Sequence, residues 1–377
     1  MRVLLDVSAV PARPVGAGIY TIEIARGLDA RGVELHLLTR RRDAQRWSSI
    51  APRAVVHADA PDRRPLRLAW EQIGAPALAR AVQPDVWHGP HYTMPLRASV
   101  PTVVTMHDLT FFDHPEWHER SKVVYFRRMI RAAAAHADVA LCVSAFTAAR
   151  LRVNCRVRGE VVVVPHGVDH ERFMRATDRL ERDEEALAPH GITPPYIAFS
   201  GTIEPRKDVP TLVRAFAAVA RAHPDLRLVI AGGDGWGAAQ ARDAIAASGA
   251  STRVLRTGYL RHDTLVSLFR RASAVVYPSL EEGFGLPALE ALACGAPLVS
   301  TRGSAVEEVV GDAALLVPPH DERALGDAIE RVLDDAAVAA RLRRDGPERA
   351  AKFTWDRSVA GHLDAYDRAI AARRVGT

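Results

Sequence analysis

The chain has 377 residues, 48% of them apolar and 25% charged; that is more than one core ordinarily serves, so a soluble globular protein of two domains is expected. Arginine excess gives a formal net charge of +5, compatible with an anionic ligand or an acidic lipid surface, while the basic stretches lack the interleaved aromatic residues that would point to nucleic acid. Three cysteines without C-x-x-C spacing speak for a reduced cytoplasmic setting, an acid as early as Asp6 speaks against a signal peptide, and no apolar run is long enough to span a bilayer.

From the amino end, apolar runs over 3–6, 33–38, 86–88, 102–106, 139–143 and 161–164 read as strands separated by helical or loop segments. A second set follows over 196–199, 226–231, 254–257, 274–277, 298–300 and 314–317. Such alternation predicts an α/β protein with two doubly wound parallel sheets covered by helices on both faces. The stretch 178–195, charged and then proline-bearing, reads as a connector, which sets expected domains at 1–177 and 196–355 and leaves an amphipathic run over 356–377.

Several turns along this frame carry chemistry. The first strand runs into Gly16-Ala17-Gly18, a glycine turn that opens a helix, where free amides suit a phosphate and an ordinary strand-to-helix turn is the plain alternative. His107 and Asp108 directly follow a buried strand, where ligands of open α/β sheets sit; a structural, hydrogen-bonded histidine is the other reading. Residues 121–135 form a basic amphipathic helix that suits anionic lipid, or else packs its apolar side on the domain. Gly201-Thr202 and then Arg206-Lys207-Asp208 make a glycine turn with two cations between a strand and a helix. The chain has only three lysines against forty-seven arginines, so the ammonium at 207 is not explained by composition. Gly232–Gly237 has the wrong spacing for a nucleotide fingerprint and reads as a turn.

The segment from Ser279 to Glu290 is the most specific. Glu282 lies in a loop with Gly283, Phe284 and Gly285, Leu286-Pro287 opens a helix, and Glu290 follows about one turn in, so two carboxylates can face one pocket beside amides that favour an anion. Carboxylates suit a hydroxyl-rich ligand, and the amides a phosphate.

This spacing resembles the E-x7-E motif of retaining glycosyltransferases of the GT-B fold, family 4 (group 1), and the element around Gly201-Thr202 and Arg206-Lys207 is similar to that family's G-T-x-x-x-R-K-N. The resemblance covers nearly the whole chain and implies two Rossmann-like domains facing a cleft, with the terminal helix of 356–377 crossing back to the first. It implies a nucleotide-diphosphate sugar as co-substrate, no further cofactor and no metal. Glu282 would contact the donor sugar, Glu290 the ribose, Arg206 and Lys207 the pyrophosphate, and Tyr259 with its neighbours Thr257 and Gly258 the base. The loop with Gly16 and Gly18 would face the donor phosphates. His107, in a segment similar to the H-D-L element of bacterial mannosyltransferases, would approach the reacting sugar, and this likeness favours GDP-mannose over UDP-glucose or another UDP-hexose. The acceptor would be a hydroxyl on a glycan, a lipid-linked glycan or a small molecule, met in the cytoplasm or on the inner face of the membrane through 121–135. Asp208 stands where the family carries Asn, and His166 where it has Asn in a P-N-G-V-D turn near the hinge.

Two other classes share the doubly wound sheet. A nicotinamide-dependent oxidoreductase needs G-x-G-x-x-G in its first turn and an acid after the second strand, and a two-lobed solute-binding protein needs an export signal; none of these is evident. The histidines at 88, 91, 107, 114, 118, 166 and 170 show neither H-E-x-x-H nor a cysteine–histidine spacing, so no zinc site is expected.

Overall fold

The computed structural model describes residues 1–176 and 180–375. They divide into two compact units, one made of 1–167 with 355–377 and the other of 168–354. The division falls between Gly167 and Val168, inside the P-H-G-V-D turn. The expected boundary between 177 and 178 lies outside the described residues.

The first unit is built on seven parallel strands: β1 (Arg2–Asp6), β2 (Glu34–Arg40), β3 (Val55–Ala60), β4 (Val86–Gly89), β5 (Thr102–Met106), β6 (Val139–Cys142) and β7 (Glu160–Val163), in the order β3-β2-β1-β4-β5-β6-β7. The central strands β4, β5 and β6 are buried along their whole length, as the near-continuous apolar runs of a sheet covered on both faces demand. One face packs against the helix Ala17–Ala30 through Tyr20, Ile24 and Leu28, and against the terminal helix Trp355–Val375 through Val359, Ala365, Tyr366 and Ala369. The other receives Val123, Ile130 and Ala133 of the helix Arg120–His136.

A chain of buried polar groups fastens the terminal helix to this sheet. Tyr366 Oη donates to His88 Nδ1 (2.8 Å), His88 Nε2 to Thr105 Oγ1 (2.8 Å), Thr105 to Tyr20 Oη (2.7 Å), Tyr20 to His362 Nε2 (2.7 Å), and His362 Nδ1 to the Ser358 carbonyl (2.7 Å). That order of donors satisfies every member with both imidazoles neutral, and burial holds the pKa of His362 down to about 4.

The second unit has six parallel strands: β8 (Tyr196–Ser200), β9 (Arg227–Ala231), β10 (Val254–Gly258), β11 (Ala274–Tyr277), β12 (Leu298–Thr301) and β13 (Ala314–Val317), in the order β10-β9-β8-β11-β12-β13. β8 and β11 lie side by side, Ala274 against Ile197 and Val275 against Ala198. The order of strands reverses there, which opens a crevice beyond their carboxyl ends.

Two expectations change. The first sheet has seven strands rather than six, because β3 was not foreseen: it is an edge strand of sequence Val-Val-His-Ala-Asp-Ala, mostly half-buried, without the apolar run of its neighbours. The connector expected over 178–195 contains the helix Leu180–Leu187, which belongs to the second unit. Asp183 there is buried, accepts a hydrogen bond from Ser267 Oγ (2.8 Å) and pairs with Arg270 (3.4 Å), while Leu187 is fully buried. The charges that suggested a solvated linker are the contacts that dock this helix.

Candidate active site

The loops after β8 and β11 build the site of the second unit. After β8 the chain turns through Gly201 and Thr202, then forms a short 3-10 turn over Pro205–Lys207. Asp208 follows in the left-handed region at φ 44°, ψ 41°, and starts the helix Val209–Val219. Asparagine and aspartate are the side-chain-bearing residues that tolerate this conformation, so aspartate replaces the family's asparagine without changing the turn. Its carboxylate accepts from Thr211 Oγ1 (2.9 Å) and lies 3.1 Å from His320 Nδ1. The Gly232 turn lies against this loop: a Cβ on Gly232, at φ +148°, would stand 1.9 Å from the Gly201 carbonyl oxygen.

After β11 the loop runs through Glu281–Phe284 to Gly285, which begins the helix Leu286–Ala293. Gly285 has φ +96°, and a Cβ there would lie 2.8 Å from Val306 Cγ2, so the helix start is both conformationally and sterically reserved for glycine. Glu282 points back to the cations. Arg206 Nη1 lies 2.6 Å from its Oε2, Lys207 Nζ and the Tyr277 hydroxyl (3.0 Å) reach its Oε1, and Lys207 also contacts Tyr277. Arg206 is held as well by Glu204 (2.8 Å). The Leu280 amide donates to the Arg206 carbonyl (2.8 Å), which locks the two loops together.

Lys207 and Glu282 are 5% and 7% exposed. Burial alone would neutralise both. Burial and the neighbouring Arg206 lower the Lys207 pKa to about 8, against the pull of Glu282. For Glu282 burial pushes upward, but Arg206 and Lys207 outweigh it and hold the carboxyl at about 2. Glu290 is equally buried and its carboxyl accepts no hydrogen bond among the described residues. Burial raises it to about 8, with only Arg172 opposing.

The structure thus brings Arg206, Lys207, Glu282 and the Gly283–Leu286 helix start together, with Glu290 inside that helix. Tyr259 follows β10 and is 47% exposed. Gly16, Gly18 and His107 belong to the first unit. Gly16, at φ +46°, starts the helix Ala17–Ala30, and Gly18 lies in its first turn. His107 Nε2 donates to the Pro90 carbonyl (2.8 Å), and its ring packs against Tyr20 and His91. Burial and His91 depress its pKa to about 4, so the neutral ring keeps Nδ1 as an acceptor. Sequence reasoning missed Tyr277 and Glu204. The only local signal for Tyr277 is that it ends a strand bordering the crevice. Among the described residues, no group of three His, Cys, Asp or Glu side chains converges as metal ligands would.

The family model described as Glycosyl transferases group 1 matches residues 162–349, and Glycosyltransferase Family 4 matches 14–172. The D-inositol 3-phosphate glycosyltransferase of Acidothermus cellulolyticus is 32% identical, over 96% of this chain and 87% of its own. This chain belongs to glycosyltransferase family 4. The O-antigen chain mannosyltransferase B of Escherichia coli is 28% identical over 80% of this chain and 77% of its own. Sucrose-phosphate synthase from Thermosynechococcus elongatus superposes with a TM-score of 0.81 at 23% identity, over 98% of this chain and 99% of the other. The two parallel-sheet units are those of the GT-B fold, and this family 4 member is an enzyme, a hexosyltransferase.

Proposed function

We propose that the chain moves mannose from GDP-mannose to an acceptor hydroxyl with retention of configuration and without a metal. The observation that supports this most is the pair Arg206 and Lys207, held at the strand-order reversal beside the helix start at Gly285. Two cations and a set of helix amides match the two phosphates of a nucleotide diphosphate and stabilise the charge that develops as it leaves. The sugar C1–oxygen bond breaks toward the pyrophosphate, the acceptor oxygen bonds C1 on the same face, and the departing phosphate takes the acceptor proton. Glu282 orients the sugar and, through its contacts with Arg206 and Lys207, aims the cations. Glu290, protonated below about pH 8, both donates to and accepts from ribose hydroxyls, and Tyr259 flanks the base. His107, with Nδ1 as acceptor, serves a sugar hydroxyl. Mannose is favoured by the mannosyltransferase-like segment around His107 and by the O-antigen relative.

Cytoplasmic work at an acidic membrane face is part of the reading. On the helix Arg120–His136, Val124, Arg128 and Arg131 are exposed, although Arg127 is used internally against the Phe111 carbonyl (2.7 Å). No helix among the described residues is long and apolar enough to cross a membrane.

Thermal shift and calorimetry with GDP-mannose, UDP-glucose and ADP-glucose test the donor: the largest response is expected from GDP-mannose, and a larger one from a UDP-sugar reassigns it. Product anomeric configuration by NMR tests retention. Turnover is expected to survive EDTA; loss that magnesium or manganese restores removes the metal-free mechanism.

A further inference from the structure

Tyr277 ends β11 and has no part in the chemistry above, yet its side chain is fully buried and its hydroxyl stands between two of the charged groups on which that chemistry turns. Its backbone is fixed twice. Tyr277 pairs with Ser300 of β12 in the sheet, and Ser300 Oγ donates to the Tyr277 carbonyl (2.6 Å). The ring stacks on Phe199 of β8, with 6.4 Å between centroids and 19° between planes. Two central strands therefore set where this hydroxyl lies, whereas Glu282 is carried by a loop.

Lys207 Nζ donates to Tyr277 Oη, and Tyr277 Oη donates to Glu282 Oε1 (3.0 Å). Nζ also lies 4.5 Å from the centre of the Tyr277 ring. Burial and the neighbouring Glu282 push the pKa of the phenol upward, so it keeps the proton that it gives to Glu282. An ammonium has three protons and no lone pair. One goes to Tyr277 and one to Glu282. Among the described residues no third acceptor takes the proton that is left, and the neighbour Gly201 has no side chain to cover it: a Cβ there would stand 3.9 Å from Nζ. In the reading above Glu282 also serves the sugar, and a carboxylate that turns to a sugar hydroxyl loosens its hold on Lys207. Tyr277, fixed on its strand, keeps that hold.

We infer that Tyr277 is a positioning residue for hexosyl transfer: its hydroxyl accepts from Lys207 and thereby aims the third proton of the ammonium at the departing phosphate. The inference rests on the reading of Lys207 as a partner of that phosphate. In this role the hydroxyl touches neither sugar nor phosphate. Its bond to Glu282 turns a lone pair toward Lys207, and an acceptor for the charged form of a buried lysine favours that form. The other charges around Nζ are few. Arg206 and Glu204 lie on the same loop, Glu282 faces it from the loop after β11, and the adjacent Asp208 is engaged with Thr211 and His320.

The full chain is assayed for donor hydrolysis, followed as nucleoside diphosphate released from GDP-mannose and from UDP-glucose. Tyr277→Phe keeps the ring and its contact with Phe199 and removes only the oxygen. Its kcat is expected to fall about 10- to 100-fold, the range of a lost hydrogen bond to a charged group, with the donor KM within about 3-fold of wild type. The ammonium loses an acceptor, so the alkaline limb of kcat/KM, set by Lys207 at about 8, is expected to move to lower pH by about half a unit or more. Glu290, also at about 8, contributes alike to both profiles. On a Lys207→Ala background the same substitution is expected to change kcat by less than about 2-fold, because the group through which it acts is gone. Tm and GDP binding report the folding of each variant. Should Tyr277→Phe not fold, Tyr277→3-fluorotyrosine, which keeps the shape and makes the oxygen a poorer acceptor, is expected to lower kcat in smaller measure. A folded Tyr277→Phe with wild-type kcat, an alkaline limb that stays in place, or an equal loss on the Lys207→Ala background overturns this inference alone. Near-normal turnover by Lys207→Ala, or absence of nucleotide binding, overturns the donor reading instead.

Discussion

Both sheets reverse their strand order once, between β1 and β4 in the first unit and between β8 and β11 in the second, and both units bury titratable groups. The outcomes are opposite. In the second unit Glu282 stays ionised, because Arg206 and Lys207 each hold one of its oxygens. In the first unit Glu71 is as deeply buried, has no cation in contact, and is pushed up to about 8; His107 is pushed down to about 4. Depth is the same and the partner differs, so the partner decides the charge. Glu290 shows that the rule is local: eight residues from Glu282 and just as buried, it has only the field of Arg172 and is also raised to about 8. The two carboxylates of one motif are thus expected in different protonation states at neutral pH.

The strongest way to break this comparison is to remove the partner. Glu282→Ala leaves Lys207 buried without its carboxylate and the half-buried Arg206 with Glu204 alone, and is expected to destabilise the protein by about 3–5 kcal/mol, the usual effect of breaking a buried pair from one side. GDP, which brings its own negative charge, is expected to raise the variant's Tm by more than it raises that of the wild type; equal shifts would mean that the cations do not meet the phosphates. Lys207→Ala is next. A ~100-fold or greater fall in kcat/KM is expected, as when a preorganised charge-stabilising donor is lost, and near-normal turnover in a folded variant would remove Lys207 from the mechanism.

The smallest effect is a pH dependence of opposite sign for the two glutamates. Glu282, depressed from 4.5 to about 2, contributes stability above pH 4.5 that is lost as pH falls through 2. Glu290, raised from 4.5 to about 8, binds a proton more tightly folded than unfolded, so its contribution is complete below pH 4.5 and declines as pH rises through 8. Glu290→Gln mimics the protonated form. Denaturant unfolding is therefore expected to show it gaining about 1–3 kcal/mol over wild type between pH 5 and 8. A difference that does not change with pH would show Glu290 to be ionised throughout.

What was legible in the sequence is what is local. Strands such as β5 and β12 are short, wholly buried apolar runs, and the turn at Gly285 declares itself because a helix start at positive φ against Val306 admits little else. β3 was illegible because an edge strand has one neighbour and needs no apolar run. The helix Leu180–Leu187 was misread because its acids resemble a solvated linker until Arg270 and Ser267 are placed beside Asp183.

By itself, then, the sequence determined the two alternating sets of elements, the glycine turns, and the presence of Arg206, Lys207, Glu282 and Glu290 near strand ends, since each depends on neighbours a few residues away. Only the tertiary structure decided that Glu282 closes on both cations and Tyr277, that His362 on the last helix takes a hydrogen bond from Tyr20, and that Arg64, Arg67 and Glu71 surround a cavity beyond β1 and β4. Apart from that of Tyr277 with Glu282, five positions away, those contacts join residues tens to hundreds of positions apart. Their charge and hydrogen bonding depend on burial and on distances of a few ångströms, which no local spacing encodes.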